Sequence, residues 1–236
     1  NNPGIGEAAQ KVLSNHGVKT KILYPSCCGM PQLEQGDISR VADNARKITA
    51  ELLPWVGDGY DIITLVPSCS LMLKFEWPLI LPENQDIKKL SKATFDVSEY
   101  IMDMARQKQL RGGLKKIEGG VTVHLACHSR AQNMGPKAAD MLRLIPDTEV
   151  VVVDRCSGHG GSWGIMKSNF ETALRVGQPV ANKAVEANHS NVVSECPLAR
   201  EHIVQGMNQL GGSKSGKKVA AVCHPIEILA KSYGLQ

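Results

Sequence analysis

Six short β-rich runs punctuate the chain, at residues 19–24, 61–66, 121–126, 149–154, 191–194 and 219–222, and a cysteine follows each within three residues. They read Tyr24-Pro-Ser-Cys27-Cys28, Val66-Pro-Ser-Cys69, Ala126-Cys127, Asp154-Arg155-Cys156, Ser194-Glu195-Cys196 and Val222-Cys223. Helical patterns fill the intervals, at 5–13, 38–52, 97–109, 136–144, 180–187, 198–210 and 226–231, with Gly17, Gly112–Gly113 and Gly211–Gly212 marking ends. Alternation of this kind predicts an α/β fold, in which small, mostly parallel sheets carry helices on their faces. Ligand sites in such folds lie beyond the carboxyl ends of the strands. Thiolates gathered there also sit near helix N-termini, which stabilise negative charge. Buried cysteine is a good core residue in its own right, but core packing gives it no reason to collect at strand ends.

The chain repeats this arrangement. Cys27-Cys28-Gly29 and Cys156-Ser157-Gly158 correspond at an offset of 129 positions, and Val66-Pro67-Ser68-Cys69 and Val193-Ser194-Glu195-Cys196 at 127. Ala8-Ala9 and Ala138-Ala139 correspond at 130. Two pseudo-symmetric lobes are expected, residues 1–118 and 119–236. The second has a cysteine, Cys127, 29 positions before Cys156; its counterpart would fall just ahead of residue 1. The first lobe is therefore expected to lack its opening strand and the cysteine at that strand's end.

Composition narrows the function. With 236 residues, 42% of them hydrophobic, the chain can bury a sizeable core. A net charge of +4 is too mild to imply a nucleic-acid partner, and no stretch interleaves basic and aromatic residues. The apolar runs are of strand length, so no membrane span is expected, and any membrane association would come through a partner. Seven cysteines suit neither a disulfide scaffold of this size nor full pairing. A reducing, cytoplasmic setting with free or metal-bound thiolates is the better expectation.

These motifs resemble the cysteine-rich CCG domain family, which includes components of heterodisulfide reductase and of anaerobic glycerol-3-phosphate dehydrogenase. The resemblance rests on Cys27-Cys28-Gly29-Met30-Pro31 with Gly36-Asp37, Gly161-Ser162-Trp163-Gly164, Ser194-Glu195-Cys196-Pro197 and His224-Pro225-Ile226-Glu227. It implies an iron–sulfur oxidoreductase component, performing electron transfer or thiol/disulfide redox chemistry beside other redox subunits or an electron-carrier protein. It also implies Cys27, Cys28 and Cys69 as cofactor ligands in lobe one, and Cys127, Cys156 and Cys196 in lobe two. The sequence departs from the family pattern where Cys69 and Cys196 lack a second cysteine three residues on, and where Ser157 replaces a cysteine. An unusual double cluster held by five thiolates therefore cannot be assembled in either lobe.

Three or four thiolates suit a 4Fe-4S cluster, with zinc as the alternative in one lobe. His159 is the nitrogen expected to complete a lobe-two site. His128 is a weaker candidate, with an ordinary polar contact as its alternative, and Cys223 is read as a spare thiol. The rival function is a non-catalytic protein that uses zinc or structural clusters for assembly. A cysteine–histidine nucleophile at Cys156 or Cys127 is a further rival. Gly160-Gly161-Ser162-Trp163-Gly164 matches a nucleophile elbow, but the elbow needs a strand directly before it. Gly211 to Lys218 nearly matches a phosphate-binding loop, but it precedes a strand instead of following one.

Overall fold

The computed structural model describes residues 2–210 and 224–235. The 219–222 run, Cys223 and the near phosphate-loop motif lie outside the described residues. The first helix, α1 (Pro3–Asn15), starts at a proline, which costs nothing where the first N–H has no helical partner. It buries Ile5, Ala8, Ala9, Val12 and Leu13, one stripe at helical spacing. A short α2 (Met30–Glu34) leads to α3 (Ile38–Gly57), capped by Asp37, whose carboxylate accepts from Arg40 N at 3.2 Å. Strand β1 (Ile62–Thr64) feeds a continuous helical stretch made of α4 (Pro67–Leu71), a π-helical turn (Met72–Glu76) and α5 (Trp77–Ile80). Then come α6 (Gln85–Lys92), β2 (Thr94–Asp96) and α7 (Val97–Arg106), the last opened by a capping box between Asp96 and Glu99. Strands β1 and β2 pair in parallel, Ile62 opposite Thr94 and Thr64 opposite Asp96.

The second half begins with β3 (Val121–His124), α8 (Cys127–Ala131), α9 (Lys137–Arg143) and β4 (Val150–Val153). It continues through α10 (Phe170–Ala187), β5 (Asn191–Ser194), α11 (Pro197–Gln209) and α12 (Pro225–Ser232). Its sheet has the order β4-β3-β5, parallel throughout, with β3 central and buried at all four positions. The fold is thus α/β, with two lobes that each carry a small parallel sheet flanked by helices. One apolar cluster runs between them, from Ile5, Val12 and Ile101 through Val123 and Leu142 to Ile226 and Leu229.

Residues 19–24 are the place where sequence and structure part. They have strand chemistry, yet they pair with nothing: Ile22 and Tyr24 are 71% and 84% exposed. Among the described residues, 19–27 make no backbone hydrogen bond to another segment. A parallel strand needs a neighbour to satisfy its N–H and C=O groups, and none lies beside this one.

His224, fully buried at the start of α12, ties the lobes together. Its Nδ1 accepts from Ile226 N at 3.1 Å, and backbone carbonyls of Leu65 and Glu195 face the ring. Burial holds its pKa down at about 4, with those carbonyls opposing. Below the ordinary imidazole pKa of 6.5, the unfolded chain takes up a proton that the folded chain refuses. Stability is therefore complete above that value and falls as pH drops from 6.5 to about 4, by about 3 kcal/mol in all. His224→Asn keeps a cap acceptor but no titrating ring. Urea unfolding between pH 7 and pH 4 is expected to show a shallower acid decline in this variant; an unchanged decline would refute the assignment.

Candidate metal centre

Each lobe carries a triad of described cysteines, Cys27, Cys28 and Cys69 in the first and Cys127, Cys156 and Cys196 in the second. In lobe one, Cys27 and Cys28 lie not on a strand but in a turn that ends at Gly29, whose φ of 92° is left-handed. On a regular strand the two thiols would point to opposite faces; the turn lets them serve one place. Cys69 arrives from the first turn of α4. The Cys28 thiol is within hydrogen-bonding reach of both Cys69 and Cys27. That hydrogen bond to Cys69, and then burial, push Cys28 far up, while the bond it receives from Cys28 draws Cys69 down. Trp77 fixes the turn from beneath: it is fully buried, and its Nε1 donates to the Cys28 carbonyl at 3.1 Å.

In lobe two, Cys127 is the first residue of α8, Cys196 caps α11, and Cys156 follows β4. Cys127 lies within electrostatic reach of both Cys156 and Cys196. Burial pushes Cys196 up, while the N–H groups of Leu198 and Ala199 at the start of α11 favour its thiolate. The amide of Gly158 donates to Cys156 Sγ at 3.4 Å; burial pushes Cys127 up, with the His128 amide opposing. At Cys127 and Cys196, strand ends that turn directly into helices thus aim backbone donors at the sulfurs, as expected where anionic sulfur must be stabilised.

Three of the glycines around Cys156 are required by packing. A methyl on Gly158, which has a φ of 80°, would overlap the Ala173 carbonyl of α10; one on Gly177 would overlap the Ser157 carbonyl, and one on Gly164 the His159 carbonyl. The loop 157–164 is therefore pressed backbone to backbone against α10. Gly158→Ala is expected to cost at least about 2 kcal/mol, or roughly 4–8 °C in Tm, and Gly177→Ala a similar amount. Thermal melts check this; unchanged midpoints would contradict the packing. Ser162 lies within this loop, well past the end of β4 at Val153, so no nucleophile elbow is formed.

His159 is 6% exposed, its ring edge-on to His202 at 6.1 Å between centroids. Its pKa is lowered by burial and by His202, and its Nε2 has no hydrogen-bond partner among the described residues. His128 instead makes a polar contact: its Nδ1 and Ser68 Oγ share a hydrogen bond of 2.8 Å across the lobes. Gln132 Nε2 adds a 3.4 Å bond to the Pro67 carbonyl. These bonds lay α4 against α8 and bring the Cys69 and Cys127 helix starts side by side. Sequence reasoning gives Glu195 no role beyond its place in the Ser194-Glu195-Cys196-Pro197 motif. It is buried, and burial, then the Asp96 carboxylate, push it up to about 8, so it keeps its proton at neutral pH. Only its neighbour Cys196 could have drawn attention to it.

Among the described residues, no group of three or more His, Cys, Asp or Glu side chains closes around a single metal-ion position. A cubane cluster asks for something different, since each thiolate binds its own iron and the sulfurs stand farther apart than around one ion. The model of the CCG cysteine-rich domain matches residues 1–74 and 121–199, one stretch in each lobe and together covering both triads. The chain belongs to the CCG cysteine-rich domain family. One component of the anaerobic glycerol-3-phosphate dehydrogenase of Escherichia coli (strain K12) is 26% identical, over 86% of this chain and 51% of that protein. A component of the fumarate reductase (CoM/CoB) of Methanothermobacter marburgensis is 27% identical, over 98% and 44%. A component of the dihydromethanophenazine:CoB--CoM heterodisulfide reductase of Methanosarcina barkeri is 25% identical, over 100% and 56%. The chain spans about half the length of these curated relatives. Among its described residues, no helix is long and apolar enough to cross a membrane.

Proposed function

We propose that the chain is an iron–sulfur electron-transfer component of a larger oxidoreductase, working in the cytoplasm beside other redox subunits or an electron-carrier protein. The observation that carries this reading is the pair of cysteine triads with backbone amides directed at their sulfurs, on helix starts that the Ser68–His128 bond holds together. Cys27, Cys28 and Cys69 would hold one cluster, and Cys127, Cys156 and Cys196 the other, with 4Fe-4S the type that such a spread of thiolates suits. His159, through its unpartnered Nε2, would complete the second set. A bound cluster would supply a one-electron site. The protein's own part is to exclude water from Cys28, to offer amide donors to the sulfurs, and to hold the two sites adjacent. The relatives support the setting, since their names are those of components of multi-subunit redox enzymes.

Absorption spectra of protein purified without air, before and after dithionite, test the reading. Broad visible absorption that bleaches on reduction is expected. A colourless protein with stoichiometric zinc would instead favour the assembly role.

A further inference from the structure

Where the two lobes meet there is a second concentration of polar side chains, and it contains no sulfur. Asp96 ends β2 in lobe one and Glu195 follows β5 in lobe two, at 2% and 1% exposure, and the Asp96 carboxylate acts electrostatically on Glu195 across the boundary. Asp96 is fixed in place: its Oδ2 accepts from Ser70 Oγ at 3.0 Å and its Oδ1 from Ser98 N at 2.9 Å. Each of these oxygens keeps a lone pair for a further partner. Glu195 is held differently. Neither of its oxygens has a hydrogen-bond partner among the described residues, although Ser129 Oγ and the Ala126 amide lie toward it. Ser129 Oγ is itself buried and unpartnered among the described residues, and so is Gln132 Oε1, one turn further at the end of α8. The amide nitrogen of Gln132 is already engaged, donating to the Pro67 and His128 carbonyls at 3.4 and 3.2 Å, so its oxygen is the open end. Buried polar atoms are ordinarily met by a partner. Of these atoms only the Ser129 hydroxyl can donate, so they cannot satisfy one another.

We propose that Asp96, Glu195, Ser129 and Gln132 form a binding site at the lobe boundary for a divalent cation of the calcium type. The chemistry of the donors selects the ion. All are oxygens, which suit hard cations, and two carboxylates match a divalent charge. Magnesium keeps several of its waters, which a set of ligands this deeply buried leaves little room for, whereas calcium accepts a mixture of carboxylate, amide and hydroxyl oxygens. Only two of the ligands are acidic, which sets the site apart from one closed by three or more charged side chains. The ion takes the place of the proton that Glu195 otherwise keeps, and it ties β2 of one lobe to β5 and α8 of the other. None of its ligands is a thiol, so the site stands or falls separately from the redox reading.

Calorimetry and thermal melts test this on protein purified without air, stripped with a calcium-selective chelator, and then given calcium, magnesium or potassium chloride separately. Calcium is expected to bind once per chain and to raise the Tm by about 5 °C or more at roughly 100 times its Kd. Magnesium and potassium are expected to shift it far less. Glu195→Gln keeps the shape of the side chain and supplies no charge, so it should abolish the calcium shift. Ser129→Ala removes a hydroxyl oxygen that has no partner among the described residues. It should therefore leave the Tm of the stripped protein near that of the parent while weakening calcium binding. A stripped protein whose melting no calcium concentration changes would overturn the proposal. So would an equal calcium shift in the parent and in Glu195→Gln, calcium binding unaltered in Ser129→Ala, or magnesium acting as strongly as calcium.

Discussion

Replacing Trp77 by alanine is expected to destabilise the protein by about 3–5 kcal/mol and to loosen the Cys27–Cys28 turn. The side chain is among the largest that are fully buried, and it sits in the cluster formed by Val41, Ile48, Met72 and Leu90 beneath lobe one. It also holds the Cys28 carbonyl through Nε1. Its removal leaves a cavity, which surrounding side chains fill only in part, and a carbonyl without its donor. Trp77→Phe separates the two effects. It retains most of the packing and loses the hydrogen bond, at about 1 kcal/mol. Chemical denaturation gives the stability change, and alkylation of Cys28 gives the state of the turn. Alanine should make Cys28 react much faster than in the unaltered protein, and phenylalanine modestly faster. If the alanine variant melts where the parent does, Trp77 is not the support described above.

The second large effect concerns the thiols. In the full-length protein purified without air, Cys69→Ser is expected to remove the lobe-one cluster and Cys196→Ser the lobe-two cluster, each lowering iron content by about half. Hydroxyl oxygen is a poor replacement for a thiolate on iron, and two remaining sulfurs do not retain a cluster. Because bound metal contributes directly to folding free energy in such sites, each variant should also melt lower than the parent. The Ser68–His128 bond predicts some coupling between the sites. His128→Ala should leave iron content near its original value while shifting the reduction potentials, which a structural role in one lobe alone would not do. Identical potentials in the variant and the parent would limit that bond to packing.

Much of the architecture was legible in the sequence, for reasons visible at particular residues. The run 191–194 is bounded by His189-Ser190 and by Glu195-Cys196-Pro197, and β5 is Asn191–Ser194. Helices such as Pro3–Asn15 and Pro197–Gln209 announce themselves by a proline at the first position and an apolar stripe. What escaped was short or cooperative. Strand β2 is only Thr94-Phe95-Asp96, too brief for any periodicity, and it exists because β1 offers it an edge. The α4 to α5 stretch is one helical path broken by a π-helical turn, which composition does not signal. The run 19–24 has the residues of a strand but no neighbour, and pairing depends on a neighbour as much as on propensity. At the site, Cys69, Cys127, Cys156 and Cys196 lie just past β1, β3, β4 and β5, whereas Cys27 and Cys28 follow a run that pairs with nothing and lie in a turn that ends at Gly29. The cross-lobe partner of His128, the burial of Glu195 and the back-to-back contact of Gly158 with α10 depend on tertiary packing that no local pattern encodes.

The central claim is that these six thiols hold iron–sulfur clusters, and elemental analysis tests it most directly. Iron, acid-labile sulfide and zinc are quantified together on the full-length protein, kept free of oxygen throughout. The account predicts iron and sulfide in near-equal amounts, at about four or more of each per chain, and their loss when Cys69 and Cys196 are replaced together. Zinc bound at these cysteines with no sulfide present would contradict it.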